Sequence, residues 1–266
     1  MEIVLKNVTY IYKNKKLLNK VNLVIEKEKI TGITGTYKTL LCEVLDGQKE
    51  FNGEIMIGEI PLVKDNIKEV RKTVSLITQN YEEQFFTNNV KDEMMFLMSR
   101  LSYKPKDINK KIDQSLQIVG LSKTVLNKKI SDLSNLEKKL LQISVSLIYN
   151  PDIIIFDESL INLDKNNTTK ITRLIKDLKN KYKKTVIIVS NDVDMLYELT
   201  DNIVILKKGS VYLTGDTTEV YTKKDLDSDI VIPNLVRFTN LAKAKGVKLS
   251  YHKDIRDLIK DVYKHV

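Results

Sequence analysis

Hydrophobic and polar positions change period more than once along this chain. In the first thirty-odd residues, apolar side chains such as Ile3 and Leu5 alternate with polar ones, which predicts strands. The middle of the chain, at about residues 81–149, repeats its apolar residues every three or four positions, as amphipathic helices do. Short, wholly apolar runs follow at Ile153–Phe156 and Val186–Val189, and such runs are typical of strands covered on both faces of a parallel sheet. The sequence therefore predicts an α/β fold, with one doubly wound domain interrupted by a helical subdomain.

Three helices are predicted within the helical subdomain. Asn89 and Asp107 are candidate N-caps for the first two. Ser134 opens the third, and Glu137 three residues later completes the pattern of a capping box, in which each side chain accepts a hydrogen bond from the other residue's backbone N–H. This pattern is sufficient to start a helix at Ser134.

The composition changes again towards the C-terminus. An amphipathic segment there carries Leu235, Phe238 and Leu241 at helical spacing, and we predict that this face is buried. Another amphipathic helix follows it. The chain is accordingly divided into a main domain at 1–222 and a small C-terminal helical extension at 223–266.

Composition narrows the class of protein. The chain has 266 residues, of which 42% are hydrophobic, so it is long enough to bury a sizeable core. The formal net charge of +9 comes from 44 Lys and Arg against 35 Asp and Glu. The lysines are scattered and no aromatics interleave with them, so no direct nucleic-acid partner is predicted. The single cysteine, Cys42, excludes an internal disulfide, indicates a cytosolic protein and is predicted to be a buried helix residue.

No part of the sequence predicts insertion into a membrane. The N-terminal residues lack a basic stretch ahead of a long apolar run, so we expect no signal peptide. The longest apolar runs are far shorter than the roughly 20 residues that span a bilayer. Membrane association is therefore expected to come through a partner.

The most specific chemical signal is the pair of carboxylates that ends the apolar run at Ile153–Phe156. Asp157 and Glu158 follow a strand predicted to be buried, where charges are costly unless they meet a metal ion or a proton. In nucleoside triphosphatases, the first acid of such a pair orients the magnesium shell and the second polarises the attacking water. We therefore predict Asp157 as a Mg²⁺ ligand and Glu158 as the general base. An acid pair that simply faces solvent at a strand end is the alternative.

A phosphate-loop candidate runs from Gly32 to Thr39. A working loop has the pattern G-x-x-x-x-G-K-[ST], in which backbone N–H groups cradle phosphate while the Lys and the Ser or Thr reach phosphate and Mg²⁺. Lys38 and Thr39 are present, but Tyr37 replaces the glycine before the lysine. Counting back from Lys38 makes Gly32 the first glycine, whereas counting forward along the strand makes Gly35 the first, with roughly three loop residues missing. We favour the second register because it leaves a strand of usual length; an ordinary strand–helix connection is the alternative.

With these motifs in place, residues 1–220 resemble the ATP-binding subunits of ABC transporters, which are P-loop NTPases. The resemblance implies an N-terminal antiparallel β subdomain, and ATP and Mg²⁺ as cofactors. Tyr12 is similar to the aromatic residue on which adenine stacks, and Gln79 to the glutamine that bridges Mg²⁺ and the attacking water. Ser134 is similar to the serine of the LSGGQ signature and Asp164 to the end of the D-loop, while Asn191 stands where the family has its switch histidine. The implied ATP-binding positions are Tyr12, Gly35, Thr36, Lys38, Thr39, Gln79 and Asn191; the implied Mg²⁺ positions are Thr39, Gln79 and Asp157; and the signature and dimer positions are Ser134 and Asp164.

Two stretches narrow the resemblance to the energy-coupling factor (ECF) ATPases of vitamin and metal-ion uptake. The segment from Gln79 through Phe85 and Phe86 to Phe96 is similar to theirs, and the tail after Pro233 is similar to their C-terminal extension. In that family, the surface around the glutamine loop receives coupling helices of a membrane-embedded subunit. Phe85 and Phe86 are candidates for this surface, and plain core aromatics are the alternative. The resemblance implies a peripheral protein on the cytoplasmic face of the cell membrane, with a membrane-embedded transporter subunit as partner.

Several positions depart from the family's pattern. The phosphate loop has lost a glycine, the two signature glycines are Asn135 and Leu136, and the signature glutamine is Glu137. The switch histidine is Asn191, which cannot take up a proton and so offers phosphate no positive charge. Each lost hydrogen bond to phosphate is worth about 1.5–3 kcal/mol, so two such losses weaken nucleotide binding about a hundredfold or more. For the signature segment, helix capping and phosphate contact both remain open.

The way that the family's dimer shares its nucleotide sites allows us to predict the second ATPase subunit from these defects. Each nucleotide of the family lies between the phosphate loop of one chain and the signature of the other. A homodimer would carry both defects in both sites, whereas a heterodimer with an intact chain would leave one defective element at each site. We therefore predict that this chain is the weaker half of a heterodimer in an ECF-type importer of a vitamin or metal ion. The alternatives are a non-hydrolysing pseudo-ATPase scaffold that docks on the membrane subunit, and a soluble ABC-type protein acting on ribosomes or DNA.

Overall fold

The structure is a computed structural model that describes residues 1–80, 84–100, 105–160 and 165–264. Strands and helices alternate through most of the chain. The strands are β1 (Ile3–Tyr12), β2 (Lys15–Ile25), β3 (Ile30–Gly35), β4 (Asn52–Ile57), β5 (Ile60–Pro61), β6 (Val74–Ile77), β7 (Ile153–Asp157), β8 (Thr185–Val189), β9 (Asn202–Lys207) and β10 (Ser210–Asp216). The helices are α1 (Lys38–Leu45), α2 (Ile67–Thr73), α3 (Val90–Arg100), α4 (Pro105–Val119), α5 (Asn135–Leu147), α6 (Lys165–Asn180), α7 (Val193–Leu199), α8 (Thr217–Tyr221), α9 (Asn234–Ala244) and α10 (Ile255–Tyr263).

The N-terminal strands form an antiparallel sheet in the order β2-β1-β4-β5. β1 pairs with β2 on one side and with β4 on the other, so that Ile3 lies opposite both Ile25 and Ile57. Ile3 and Leu5 are buried while Lys6 is exposed, which confirms the alternation predicted from the sequence. The antiparallel β subdomain is therefore present.

A second sheet, in the order β10-β9-β3-β8-β7-β6, forms the centre of the molecule. Its strands run parallel except for β10, which pairs antiparallel with β9 at one edge. All residues of β7 and β8 are buried, because hydrophobic clusters cover both faces of the sheet. The carboxyl ends of β3, β8 and β7 thus lie side by side, and this is the edge at which parallel α/β sheets bind ligands.

The helical subdomain consists of α3, α4 and α5, which lie between β6 and β7 in the chain. These helices share a hydrophobic cluster of their own, separate from the two that flank the central sheet. α3 begins directly after Asn89 and α5 directly after Ser134, as predicted. The cap predicted at Asp107 was wrong: α4 begins two residues earlier, at Pro105, and Asp107 lies in its first turn. Proline at the first position of a helix is favoured because its ring already holds the helical φ.

The predicted inner face of α9 was partly wrong. Leu235 is half-buried against the core, but Phe238 and Leu241 are 50% and 61% exposed. The buried residues of this helix are Val236 and Thr239. Thr239 tolerates burial because its hydroxyl donates to a carbonyl one turn earlier, at 2.9 Å. Only a narrow strip of the helix contacts the main domain.

The C-terminal segment is joined to the main domain by polar contacts as well. Asn234 donates through its backbone N–H and its side-chain amide to Asp194, and Lys253 Nζ donates to the carbonyl of Thr200 at 2.7 Å. The boundary at residues 222 and 223 stays a prediction.

Two expectations from composition bear directly on the fold. Cys42 is buried inside α1, as predicted, and burial raises the pKa of its thiol well above the ordinary value. Within the described ranges of the chain, no helix is both long enough and apolar enough to cross a bilayer.

Candidate nucleotide site

Strand β3 carries the phosphate-loop candidate to the carboxyl edge of the central sheet. Gly32 lies inside the strand, opposite Ile188 on one side and Ile203 on the other, so it belongs to the sheet. Gly35 ends the strand with φ +99, and a Cβ there would lie 2.0 Å from the carbonyl oxygen of Leu206. Only glycine fits at that position. The connection to α1 therefore starts after Gly35, as in the second of the two registers considered.

Only Thr36 and Tyr37 connect β3 with α1. The backbone N–H of Thr36 donates to the carbonyl of Leu206 at 3.1 Å, so it is already bonded at the edge of the sheet. Tyr37 adopts φ 62, in the left-handed region that favours glycine, and its side chain does not cap the helix. The first turn of α1 contains no acidic residue, so its backbone N–H groups keep the anion-attracting character of a helix N-terminus. The phosphate-loop candidate is therefore short, and the N-terminus of α1 is the part of it that is suited to an anion.

Lys38, at the start of α1, is held by side chains from two other strand ends. Its Nζ lies 3.1 Å from Glu158 Oε1, just beyond β7, and donates to Asn191 Oδ1, beyond β8, at 2.9 Å. The side chains of Lys38 and Glu158 are only 12% and 13% exposed, so solvent and salt screen this ion pair weakly. The structure thus brings together three residues that lie far apart in the sequence.

A second polar contact joins α1 to the end of β7. The hydroxyl of Thr39 donates to Asp157 Oδ1 at 3.1 Å. Burial raises the pKa of Asp157 above its ordinary value; the hydroxyl of Thr39 opposes this, and the nearby Glu158 carboxylate adds to it. A carboxylate and a hydroxyl are hard oxygen donors of the kind that Mg²⁺ takes, and a cation beside Asp157 would relieve the cost of its burial. These two residues fit a magnesium ion, although no group of three or more acidic, His or Cys side chains suited to a metal occurs among the described residues.

The backbone fixes the position of Glu158. The residue has φ 47, and its N–H donates to the carbonyl of Val189 at the end of β8, at 2.9 Å. Ser190, which is 1% exposed, donates through its hydroxyl to Glu158 Oε2 at 3.4 Å and accepts from the backbone N–H of Asp192. Sequence reasoning assigned no role to Ser190, and the only available signal was its place directly after a buried strand.

Two predicted positions, Gln79 and Tyr12, are not joined to this cluster. Gln79 follows β6, at the same edge of the sheet, and is exposed. Tyr12 ends β1 at the hairpin, 52% exposed, with Lys13 Nζ 5.4 Å from its ring centroid. Within the described part of the chain, neither has a hydrogen bond or ion pair to the Lys38 cluster, so their roles toward Mg²⁺ and adenine stay predictions. Asp164 lies outside the described residues.

Comparison with known proteins decides the family. A family model described as ABC transporter matches residues 18–160, more than half of the chain. The chain belongs to the ABC transporter family. It is 30% identical over 264 residues to the energy-coupling factor transporter ATP-binding protein EcfA2 of Clostridium tetani, across 94% of this chain and 92% of the relative. The corresponding protein of Caldanaerobacter subterraneus is 29% identical over 262 residues, with the same two shares. These relatives place this ABC protein among the ECF ATP-binding proteins.

Solved structures support the ABC fold. The cbiO1 protein of Clostridium perfringens, described as part of the ABC transporter complex cbiONQ, superposes with a TM-score of 0.77 at 24% identity, over 91% of this chain and 96% of that one. An ATP-binding cassette solved as a dimer in a post-hydrolysis state, with ADP and phosphate, superposes with a TM-score of 0.69 at 23% identity. At these identities the likeness establishes the fold alone.

The segment that we predict as the ABC signature forms a complete capping box. The hydroxyl of Ser134 accepts from the backbone N–H of Glu137 at 3.3 Å, and Glu137 Oε2 accepts from the backbone N–H of Ser134 at 2.9 Å. Lys128 Nζ lies 3.3 Å from the other carboxylate oxygen of Glu137. Hydrogen bonds from Ser134, with help from Lys128, lower the pKa of Glu137, so this carboxylate is ionised at neutral pH. The capping function of this segment is confirmed.

Helix α5 is also joined directly to the base of the loop that carries Gln79. Lys139 Nζ and Gln142 Nε2 donate to the carbonyl of Thr78, at 3.2 and 3.1 Å. Lys139 is 3% exposed, and burial lowers its pKa to about 8. Sequence reasoning missed both contacts, because two polar residues inside a helical pattern do not reveal a partner sixty residues away.

Proposed function

We propose that this chain is a nucleotide-binding subunit of an ECF-type ABC importer, with ATP and Mg²⁺ as its cofactors. The observation that supports nucleotide binding is the convergence of the start of α1 with two carboxylates, that of Asp157, which ends β7, and that of Glu158, which follows it. Lys38 Nζ lies 3.1 Å from Glu158, and Thr39 lies 3.1 Å from Asp157. In this reading, Lys38 and the N-terminus of α1 receive phosphate, Thr39 and Asp157 hold Mg²⁺, and Glu158 is the general base.

We further propose that this chain is the weaker half of a heterodimer. Its phosphate loop has only Thr36 and Tyr37 before Lys38, and the Ser134 hydroxyl is engaged in a capping box. Both elements that an ABC dimer uses around a nucleotide are therefore reduced in this chain. A second ABC ATPase subunit with intact motifs would leave one reduced element at each site, whereas a second copy of this chain would leave two.

The importer requires a surface for a membrane-embedded subunit, and the structure offers a candidate beside the glutamine loop. Phe86 is 68% exposed and stacks on Phe96, with 5.1 Å between ring centroids. Next to it lies a cleft of about 630 Å³, lined by Phe85, Thr87, Asn88, Asn89, Lys129, Ile130, Ser131 and Lys138. An exposed aromatic side chain beside a cleft is suited to protein contact. This supports peripheral attachment to the cytoplasmic face of the membrane through a partner. The resemblance to ECF ATPases is the basis for proposing uptake of a vitamin or metal ion.

A non-hydrolysing scaffold is the second candidate. The observation that favours it is the ion pair between Lys38 and Glu158, because a base engaged by the phosphate-binding lysine is not free to activate water. Such a scaffold would dock on the membrane subunit and pair with the second ATPase without turnover at its own site.

Purification of the tagged chain from its native membranes, followed by ATPase assays, tests these proposals. We expect a membrane subunit and a second ABC ATPase to co-purify. If Glu158→Gln lowers turnover of the complex about tenfold or more, Glu158 acts as a base, since general-base catalysis contributes about 10²–10⁴-fold. Unchanged turnover supports the scaffold. Recovery of the chain without a membrane protein, together with a steeply salt-dependent affinity for nucleic acid, would contradict the importer.

A further inference from the structure

The phosphate site of this chain contains an anion of its own. Glu158 Oε1 lies 3.1 Å from Lys38 Nζ, and the side chains of Glu158 and Lys38 are only 13% and 12% exposed. Within the part of the chain that the structure describes, Oε1 has no hydrogen-bond partner besides this ion pair. The ammonium of Lys38 is therefore the group that neutralises the Glu158 carboxylate.

The carboxylate is fixed in that position by its surroundings. Glu158 has a left-handed backbone, with φ 47, and its N–H is bonded to the carbonyl of Val189. Its other oxygen, Oε2, accepts from the buried hydroxyl of Ser190 at 3.4 Å. Asn191 Oδ1 also accepts from the ammonium, at 2.9 Å. An incoming anion must break an organised cluster rather than fill an open space.

The short loop offers an incoming anion few hydrogen-bond donors to offset the cost of breaking the ion pair between Lys38 and Glu158. The backbone N–H of Thr36 is already bonded to the carbonyl of Leu206, and only Tyr37 follows before α1. A phosphate group is left with the N–H groups at the start of α1 and with Lys38, and Lys38 is the group that Glu158 holds. Phosphate and the Glu158 carboxylate therefore compete for the Lys38 ammonium. This competition is the main electrostatic effect on phosphate affinity that a single substitution can remove.

We propose that Glu158 is an internal competitor for phosphate. Its carboxylate occupies the place beside Lys38 that a nucleotide phosphate requires, and the site opens only when a phosphate group displaces it. The inference rests on the proposed function, that nucleotide binds at Lys38, and concerns the regulation of that site. It differs from the general-base role, in which Glu158 faces water and leaves Lys38 to the phosphate.

Equilibrium binding of ATP to the full chain, in EDTA without Mg²⁺, tests this competition apart from hydrolysis. In Glu158→Gln the competing charge is lost while size and shape are kept, and we expect the Kd for ATP to fall about tenfold or more, as for loss of one close charge contact. The Kd for inorganic pyrophosphate should also fall in Glu158→Gln. Adenosine, which has no phosphate, should bind wild type and variant equally.

Glu43→Gln is the matched control. Glu43 lies on α1 and pairs loosely with Lys49 at 3.7 Å, so its substitution removes one negative charge near the site and leaves the ion pair of Lys38 with Glu158 in place. We expect its Kd for ATP to stay within about twofold of wild type. Thermal unfolding of each variant shows whether it is folded.

Three results would overturn the proposal. The first is a folded Glu158→Gln chain that binds ATP no more tightly than wild type. The second is an equal gain in Glu43→Gln, which would mean a general effect of charge. The third is binding of ATP to neither wild type nor Glu158→Gln. In the first two cases ATP binding by the wild-type chain still supports the proposed function, and co-purification with a membrane subunit tests that function independently.

Discussion

The N-termini of α1 and α5 are completed in opposite ways. α1 begins after Tyr37, which provides no side-chain cap, and its first turn has no acidic residue. α5 begins with the capping box of Ser134 and Glu137, which satisfies backbone donors at both ends of the first turn. In ABC proteins both helices are expected to face phosphate. Here the carboxylate beside α1 is that of Glu158, which lies beyond β7 and pairs with Lys38, whereas the carboxylate at α5 belongs to the helix itself and caps it.

The two helix starts differ in how their capacity to bind phosphate is reduced. At α1 the residues for phosphate are present, and a side-chain ion pair that a ligand can replace restrains them. At α5 the backbone N–H groups of the first turn are bonded within the capping box and stabilise the helix. A ligand cannot bind these groups without weakening the start of the helix. We therefore expect substitutions of Lys38 and its ion-pair partner to change nucleotide affinity, and substitutions in the capping box of α5 to change stability.

Lys38→Met should have the largest effect. It removes the ammonium and keeps the apolar stem, so affinity for ATP should fall by about tenfold to a hundredfold, as expected for loss of a charged hydrogen bond worth about 1.5–3 kcal/mol. Calorimetry or a competition assay measures this change. Lys49→Met is the control, since Lys49 makes only a loose pair with Glu43. Equal affinity in wild type and Lys38→Met would show that α1 is not the phosphate site.

Ser134→Ala should have an intermediate effect, on stability alone. Loss of the N-cap of α5 should lower the free energy of unfolding by about 1 kcal/mol, and urea denaturation measures it. Ser131→Ala is the control, because Ser131 lies outside α5 and its hydroxyl donates to the neighbouring Asp132 side chain. ATP affinity of the isolated chain should not change. A clear loss of ATP affinity in Ser134→Ala would break the contrast between the two helices.

Glu137→Gln should have the smallest effect at neutral pH, because glutamine also completes a capping box. The substitution should change the pH dependence of the free energy of unfolding. The folded pKa of Glu137 lies below the ordinary 4.5, so the carboxylate stabilises the fold above about pH 4.5 and loses this contribution as the pH falls through the folded pKa. The stability difference between wild type and variant should therefore shrink in acid. Glu54→Gln, at an exposed position of β4, serves as the control, and a difference that stays constant down to pH 3 would contradict the prediction.

Much of the fold was predictable because its signals are local. The apolar runs of β7 and β8, the helix starts after Asn89 and Ser134, and the capping box all follow from periodicity and side-chain chemistry within a few residues. Errors arose where burial depends on a distant surface. Phe238 and Leu241 have helical spacing, but the main domain covers only the strip of α9 that contains Val236.

The sequence by itself determined the strand–turn–helix around Lys38, the acid pair after a buried strand and the family pattern that links them, because these depend on residue type and spacing. Only the tertiary structure decided that Lys38 meets Glu158 and Asn191. That contact depends on β3, β8 and β7 being neighbours in the sheet, and the order of parallel strands is fixed by the packing of helices on both faces. An ion pair between residues 120 positions apart leaves no trace in local sequence, and here it decides what the phosphate site contains.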